Sequence, residues 1–286
     1  MSQTPSVGIR ENLPGGTLGV IDAMGMGWRL LMSDFWPLWL VGLVSFAIQA
    51  GFGIFGAIPY IGGCISLAVG IFVQPALNAG LFYAVRRRID SAPAQVGDLF
   101  EGFRQRYWQS VVAMLVPMGI GFAAGLLIAG IVLAAVAIGG GFGPHANDED
   151  VIVTMIVAGV IVVPLVIILI LVMLLFMFSL LAVWDHPESG WAAVKDSVRV
   201  VRAHLLSCVG LALLFALVGV AAYIAGAIAL CVGIFFTLPF VMVWFHAAVI
   251  YLYRSWTGQA LVQPIGAAPP AGPVPPTSIE PPPRGM

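Results

Sequence analysis

Charge is what this sequence lacks most. Only 9% of its 286 residues are Asp, Glu, Lys or Arg while 60% are hydrophobic, where a soluble domain carries about 25% charged residues and roughly half apolar ones. With a mean hydropathy of +1.04, a water-soluble globular fold is excluded. The 12 Lys and Arg against 13 Asp and Glu offer no basic surface for nucleic acid. Cysteine is scarce as well. Cys64, Cys208 and Cys231 sit in or at the edge of apolar runs with no CxxC spacing, which excludes a zinc or dithiol motif and predicts three buried thiols. The opening MSQTPSVGIRENLPGGT lacks the basic-then-apolar order of a cleavable leader, so no removal is expected.

Catalytic signatures are missing too. There is no Ser/His/Asp set, no HExxH and no Gly-rich loop ending in Lys, so neither an enzyme nor a cofactor is expected. The acidic loop with His145, Asp148, Glu149 and Asp150 matches no EF-hand or zinc spacing, and its carboxylates complement the dipole of the helix that follows. No metal is expected there. His186, between Asp185 and Pro187, reads as punctuation before a helix.

What is present is length of apolar run. Crossing about 30 Å of hydrocarbon takes roughly 20 helical residues, and runs of that order occupy 35–57, 62–85, 109–138, 151–183, 205–230 and 234–256. They predict an all-α, polytopic membrane helical bundle with six transmembrane helices. AIPYIGG at 57–63 and a break near Gly233 make hairpins of the first and last pairs. The fourth run exceeds the bilayer, so it must tilt, kink near Pro164 or project. Gly121 and Gly125 fit a GxxxG packing face.

The few cations are distributed on one side. With both termini cytoplasmic, Arg10, Arg29, the cluster Arg86, Arg87, Arg88, Arg104 and Arg106, the group Lys195, Arg199 and Arg202, and Arg254 and Arg284 all fall inside. Every Lys and Arg then obeys the positive-inside rule. This bias predicts both termini in the cytoplasm, with Arg86–Arg88 as a topology signal and the basic residues at the membrane surface; the expected location is a cell inner (cytoplasmic) membrane.

Three segments repeat one pattern. Ile21, Met24, Trp28 and Leu31 precede the first span; Phe100, Phe103 and Tyr107 follow a D-x-x-E box at Asp98; Trp191, Val194, Val198 and Val201 precede the fifth. Each set forms one helical face, leaving Asp22, Arg29, Arg104, Arg106, Lys195, Asp196, Arg199 and Arg202 elsewhere. The expectation is three short interfacial amphipathic helices, each followed by a hairpin of spans, as parallel repeats. The domain layout is a disordered N-terminal arm at 1–16, a transmembrane domain at 17–256 and a proline-rich tail at 257–286. That tail contains PxxP spacing and reads as an extended cytoplasmic spacer or a ligand for a partner domain.

The run QPALNAGLFYAVRRRIDSAPAQVGDLFEGFR resembles a segment of bacterial six-span integral membrane proteins related to the membrane domain of glycerophosphodiester phosphodiesterases. WDHPESGWAAVKDSVRVVRAHLLSCVGLALL and GIFFTLPFVMVWFHAAVIYLYRSWTG are similar to that group's closing segment. The resemblance covers most of residues 17–258. It implies the membrane fold. The phosphodiesterases carry their chemistry in a separate soluble barrel, for which these 286 residues leave no room, so the resemblance implies no activity.

Polar side chains inside lipid are costly and so are candidate sites. Gln74 and Asn78 lie one turn apart beside Pro75, and His246 follows Pro239. Asn78 stands eight residues before Arg86 and His246 eight before Arg254, so both sit about 12 Å inward of their anchors. They form either a headgroup or proton site between the second and sixth spans, or interhelical hydrogen-bond glue. The sequence thus leads to a non-enzymatic scaffold or accessory factor gripping anionic inner-leaflet lipid. The alternative is a transporter or lipid-handling protein using Gln74, Asn78 and His246. A homo-oligomer or protein partner remains open, and no nucleic acid is expected.

Overall fold

The computed structural model describes residues 18–56, 58–138, 148–228 and 232–259. The N-terminal arm with Arg10, the loop with His145, Cys231 and the proline-rich tail beyond Gln259 with Arg284 lie outside the described residues, as do the side chains of Asp148, Glu149 and Asp150. Among the described residues the chain is helical without strands: α1 (Val20–Ser33), α2 (Phe35–Gly56), α3 (Gly62–Phe72), α4 (Gln74–Ile89), a 3-10 turn (Val96–Phe100), α5 (Glu101–Gln105), α6 (Tyr107–Ile138), α7 (Asp148–Leu174), α8 (Ser179–Ala182), α9 (Gly190–Ala203), α10 (Leu205–Ile228) and α11 (Val232–Trp256). Five helices are long and apolar enough to cross a membrane, six if the bent pair of α3 and α4 counts as one span. The protein is a multi-pass helical bundle.

α11 is the axis of the bundle. It packs against α1, α2, α4 and α10, and every residue from His246 to Arg254 is buried, as expected for a helix that neighbours cover on all sides. The packed core gathers at the end where Arg86, Arg87, Arg88 and Arg254 lie. Toward the opposite end α6, α7 and α10 present Leu126, Val160, Ile167 and Leu217 outward, the apolar surface that lipid covers.

Two spans differ from their expected course. The second breaks at Val73, where α3 and α4 meet at 40°. Pro75 lies in the first turn of α4, and its ring, lacking an N–H, cannot continue a ladder from α3. The fourth run stays helical through Pro164, and although its span continues to Ala182, the regular helix α7 ends at Leu174. Ser197 of α9 explains the break. Its hydroxyl donates to Leu175 O at 2.8 Å and accepts from Phe178 N at 3.1 Å, an inserted side chain that satisfies the backbone where the ladder is interrupted.

The amphipathic segments also need correction. α1 and α9 form, but their buried faces are rotated from the expected stripes: α1 buries Ala23, Gly27, Leu30 and Leu31, and Ile21 is 78% exposed. α9 buries Gly190, Ala193, Val194, Ser197, Val200 and Val201, and Trp191 is 48% exposed. Small residues win because they let backbones approach, and the bulky aromatics are displaced to the rim. The middle segment is not one helix. Asp98 is not an N-cap; it is the third residue of the 3-10 turn and accepts the Gln95 N–H at 2.8 Å, while the helix breaks again at Arg106.

Close approach dictates that shape. A Cβ on Gly80 of α4 would collide with the Leu99 carbonyl, and one on Gly102 of α5 with the Ala76 carbonyl. Two glycines therefore let the 96–105 segment lie backbone to backbone on α4. Of the cysteines, Cys208 is buried and Cys64 is exposed, both as free thiols, so the expectation of burial fails at Cys64 on the lipid-facing α3. In the expected GxxxG pair, a Cβ on Gly121 would touch Met173 of α7, whereas Gly125 faces open space.

Candidate functional site

Three consecutive arginines at the end of α4 reach three different segments. Successive helical residues point about 100° apart. Arg86 Nη1 meets Asp185 at 2.8 Å, Arg87 Nη1 meets Asp98 at 2.5 Å, and Arg88 Nε meets Asp34 at 2.7 Å. Asp34 closes α1, Asp98 is in the 3-10 turn and Asp185 follows α8. Each partner thus precedes one of the three hairpins. Arg254, from the end of α11, holds Asp90 through both Nη atoms at 2.7 and 2.9 Å.

These four arginines are therefore engaged in internal ion pairs, a role the positive-inside reading did not assign them. The acidic partners Asp34, Asp90, Asp98 and Asp185 were missed in the sequence. The available signal was the question of what neutralises three adjacent guanidinium groups in a chain so poor in charge. Arg104 pairs locally with Glu101 at 2.8 Å. Arg106 lies 6.0 Å from the Trp184 ring and 3.5 Å from Pro187 O.

α9 keeps its cations outside. Trp191, Lys195, Arg199 and Arg202 are all exposed, and at 100° per residue they share an arc of roughly 80°. Lys195 Nζ stands 5.7 Å from the Trp191 ring. Arg199, 80% exposed, has Asp196 3.5 Å away as its ion-pair partner. Asp196 turns inward instead, accepting Tyr253 Oη at 3.0 Å and facing His186 Nε2 at 3.6 Å. Beside it an open cleft of about 410 Å³ is bordered by Asp185, His186, Tyr253, Trp256 and Gln259. His186 is more than punctuation here, bridging toward Glu188 as well, at 3.5 Å.

The intramembrane polar residues separate into two places. His246 is buried with its Nδ1 2.7 Å from Met242 O and its ring 4.5 Å from that of Phe82 on α4. α4 and α11 do meet at this depth, through Phe82. Gln74 instead lines a cleft of about 190 Å³ together with Gln49 and Ser66. Asn78, half-buried on α4, is outside that lining, and no hydrogen bond joins Gln74, Asn78 and His246 among the described residues. No group of three or more metal-ligating side chains occurs among the described residues either.

A family model described as a domain of unknown function, DUF7847, matches residues 56–269, and the chain belongs to that family. No curated protein and no solved structure matches it.

Proposed function

For a member of that family, we propose a non-enzymatic scaffold or accessory role in a bacterial cytoplasmic membrane, with both termini in the cytoplasm and α9 gripping anionic lipid of the inner leaflet. The observation that carries this reading is the outward face of α9, where Trp191 is followed by Lys195, Arg199 and Arg202. A tryptophan at headgroup depth fixes the helix at the interface. Each cation near an anionic surface adds about 1 kcal/mol of attraction. His246 is buried against Phe82, which supports the same reading at that residue, while Gln74, which the transporter alternative also uses, does line a cleft.

The test is the triple variant Lys195→Gln, Arg199→Gln, Arg202→Gln in nanodiscs. Wild type should be thermally stabilised by phosphatidylglycerol relative to phosphatidylcholine, and added salt should erase the difference. A variant that responds to phosphatidylglycerol as wild type does removes the proposal. A reporter tag on residue 95 should report the cytoplasmic side.

A further inference from the structure

Beside the break in the second span lie polar groups that the protein partners only in part. Gln74 stands twelve residues from both Gly62 and Arg86, about 18 Å along the helix from either, and so close to the middle of the membrane. Gln74 is an exposed residue, and its carboxamide makes no side-chain hydrogen bond among the described residues. Across the cleft, Gln49 donates Nε2 to Ser45 Oγ at 3.3 Å, which leaves its carbonyl oxygen unused. The Ser66 hydroxyl completes the polar lining, and Phe52, Gly70 and Leu77 close the rest. Hydrocarbon supplies no partner for such groups, so a molecule entering from the lipid must do so.

We infer that this cleft binds the head of a neutral lipid carrying a hydroxyl or carbonyl oxygen. Among the described residues no cation and no carboxylate lines it, so a phosphate or ammonium head would be desolvated without a counter-charge. Two carboxamides and a hydroxyl offer donors and acceptors, the complement of an uncharged oxygen-bearing head. At about 190 Å³ the space holds roughly six waters at about 30 Å³ each and is smaller than the ~300–1,000 Å³ of pockets that enclose whole drug-sized ligands. Only the head enters; the chains stay along α2 and α3. The cleft runs from Gln74 near the midplane to Ser66 in the first turns of α3, beside a discontinuous helix of the kind on which transporters build sites, and it does not depend on the lipid reading of α9.

The full chain in phosphatidylcholine nanodiscs is titrated with dioctanoylglycerol, a hydroxyl head, and decylubiquinone, a carbonyl head. Bound probe is counted by native mass spectrometry. Saturable binding of one probe per chain is expected, with the preferred probe telling which oxygen is recognised. Gln74→Leu and Gln49→Leu should each weaken binding about tenfold by removing a hydrogen-bonding partner. Gln105→Leu, whose amide bonds Glu101 outside the cleft, should leave it unchanged. Gly53→Leu guards against variants that misfold: a Cβ there meets open space, so it should fill the cleft and abolish binding at an unaltered unfolding midpoint. The inference is overturned if neither probe binds, if Gly53→Leu binds as wild type does, or if dioctanoyl phosphatidic acid competes equally. Efficient disulfide formation between copies by Gln74→Cys would assign the cleft to a second copy of this chain and overturn it too.

Discussion

Arg254 and Asp90 form a two-pronged ion pair, 2.7 and 2.9 Å long, in which the arginine side chain is 6% exposed and the aspartate 48%. It joins the end of the axial helix to the end of α4, and the asymmetry of burial decides how it responds to mutation. Asp90→Ala leaves a buried guanidinium without its counter-ion, while Arg254→Met leaves a carboxylate that water can reach. The first should cost on the order of 2–3 kcal/mol and the second clearly less. Thermal unfolding in detergent orders the two, and the reverse order would contradict the burial argument.

Arg88 and Asp34 connect the end of α4 to the junction of α1 and α2 at 2.7 Å. Arg88→Asp and Asp34→Arg should each destabilise the protein by about 1 kcal/mol, and the double swap should recover much of that loss. A double-mutant cycle with no coupling would mean that the contact contributes nothing.

Gly80→Ala and Gly102→Ala each drive a methyl into a backbone carbonyl of the neighbouring segment. Backbone can yield only by separating α4 from residues 96–105. Losses above about 3 kcal/mol, or failure to accumulate folded protein, are expected. Gly219→Ala, which meets open space in α10, serves as the contrast and should be neutral or stabilising by up to about 1 kcal/mol through helix propensity. Equal behaviour of the three would show that the close approach is not what matters.

Ser197→Ala removes the hydroxyl that serves both Leu175 O and Phe178 N. The backbone there is enclosed by packed side chains, so the loss should be about 1–2 kcal/mol. Hydrogen exchange should report it locally, as faster exchange at residues 175–178. Unchanged protection of that turn would mean that Ser197 does not hold the break.

The sequence by itself determined the membrane class, the order of spans and the clustering of cations at one end. Those follow from hydropathy and spacing along one chain: a 20-residue apolar run has few alternatives to a spanning helix, wherever its neighbours lie. Pro75 was also legible, although its effect was a bend between α3 and α4 that composition alone did not announce. Only the tertiary structure decided which faces of α1 and α9 are buried, because Gly27, Ala193 and Ser197 win their places by backbone proximity rather than by apolarity. It alone paired Arg86, Arg87 and Arg88 with Asp185, Asp98 and Asp34, across separations that no periodicity encodes. It also sent Gln74 to Gln49 and Ser66 while setting His246 against Phe82. Depth along a helix can be counted from the sequence; which neighbour a side chain meets at that depth depends on how the helices rotate against each other, and that is a property of the packed bundle.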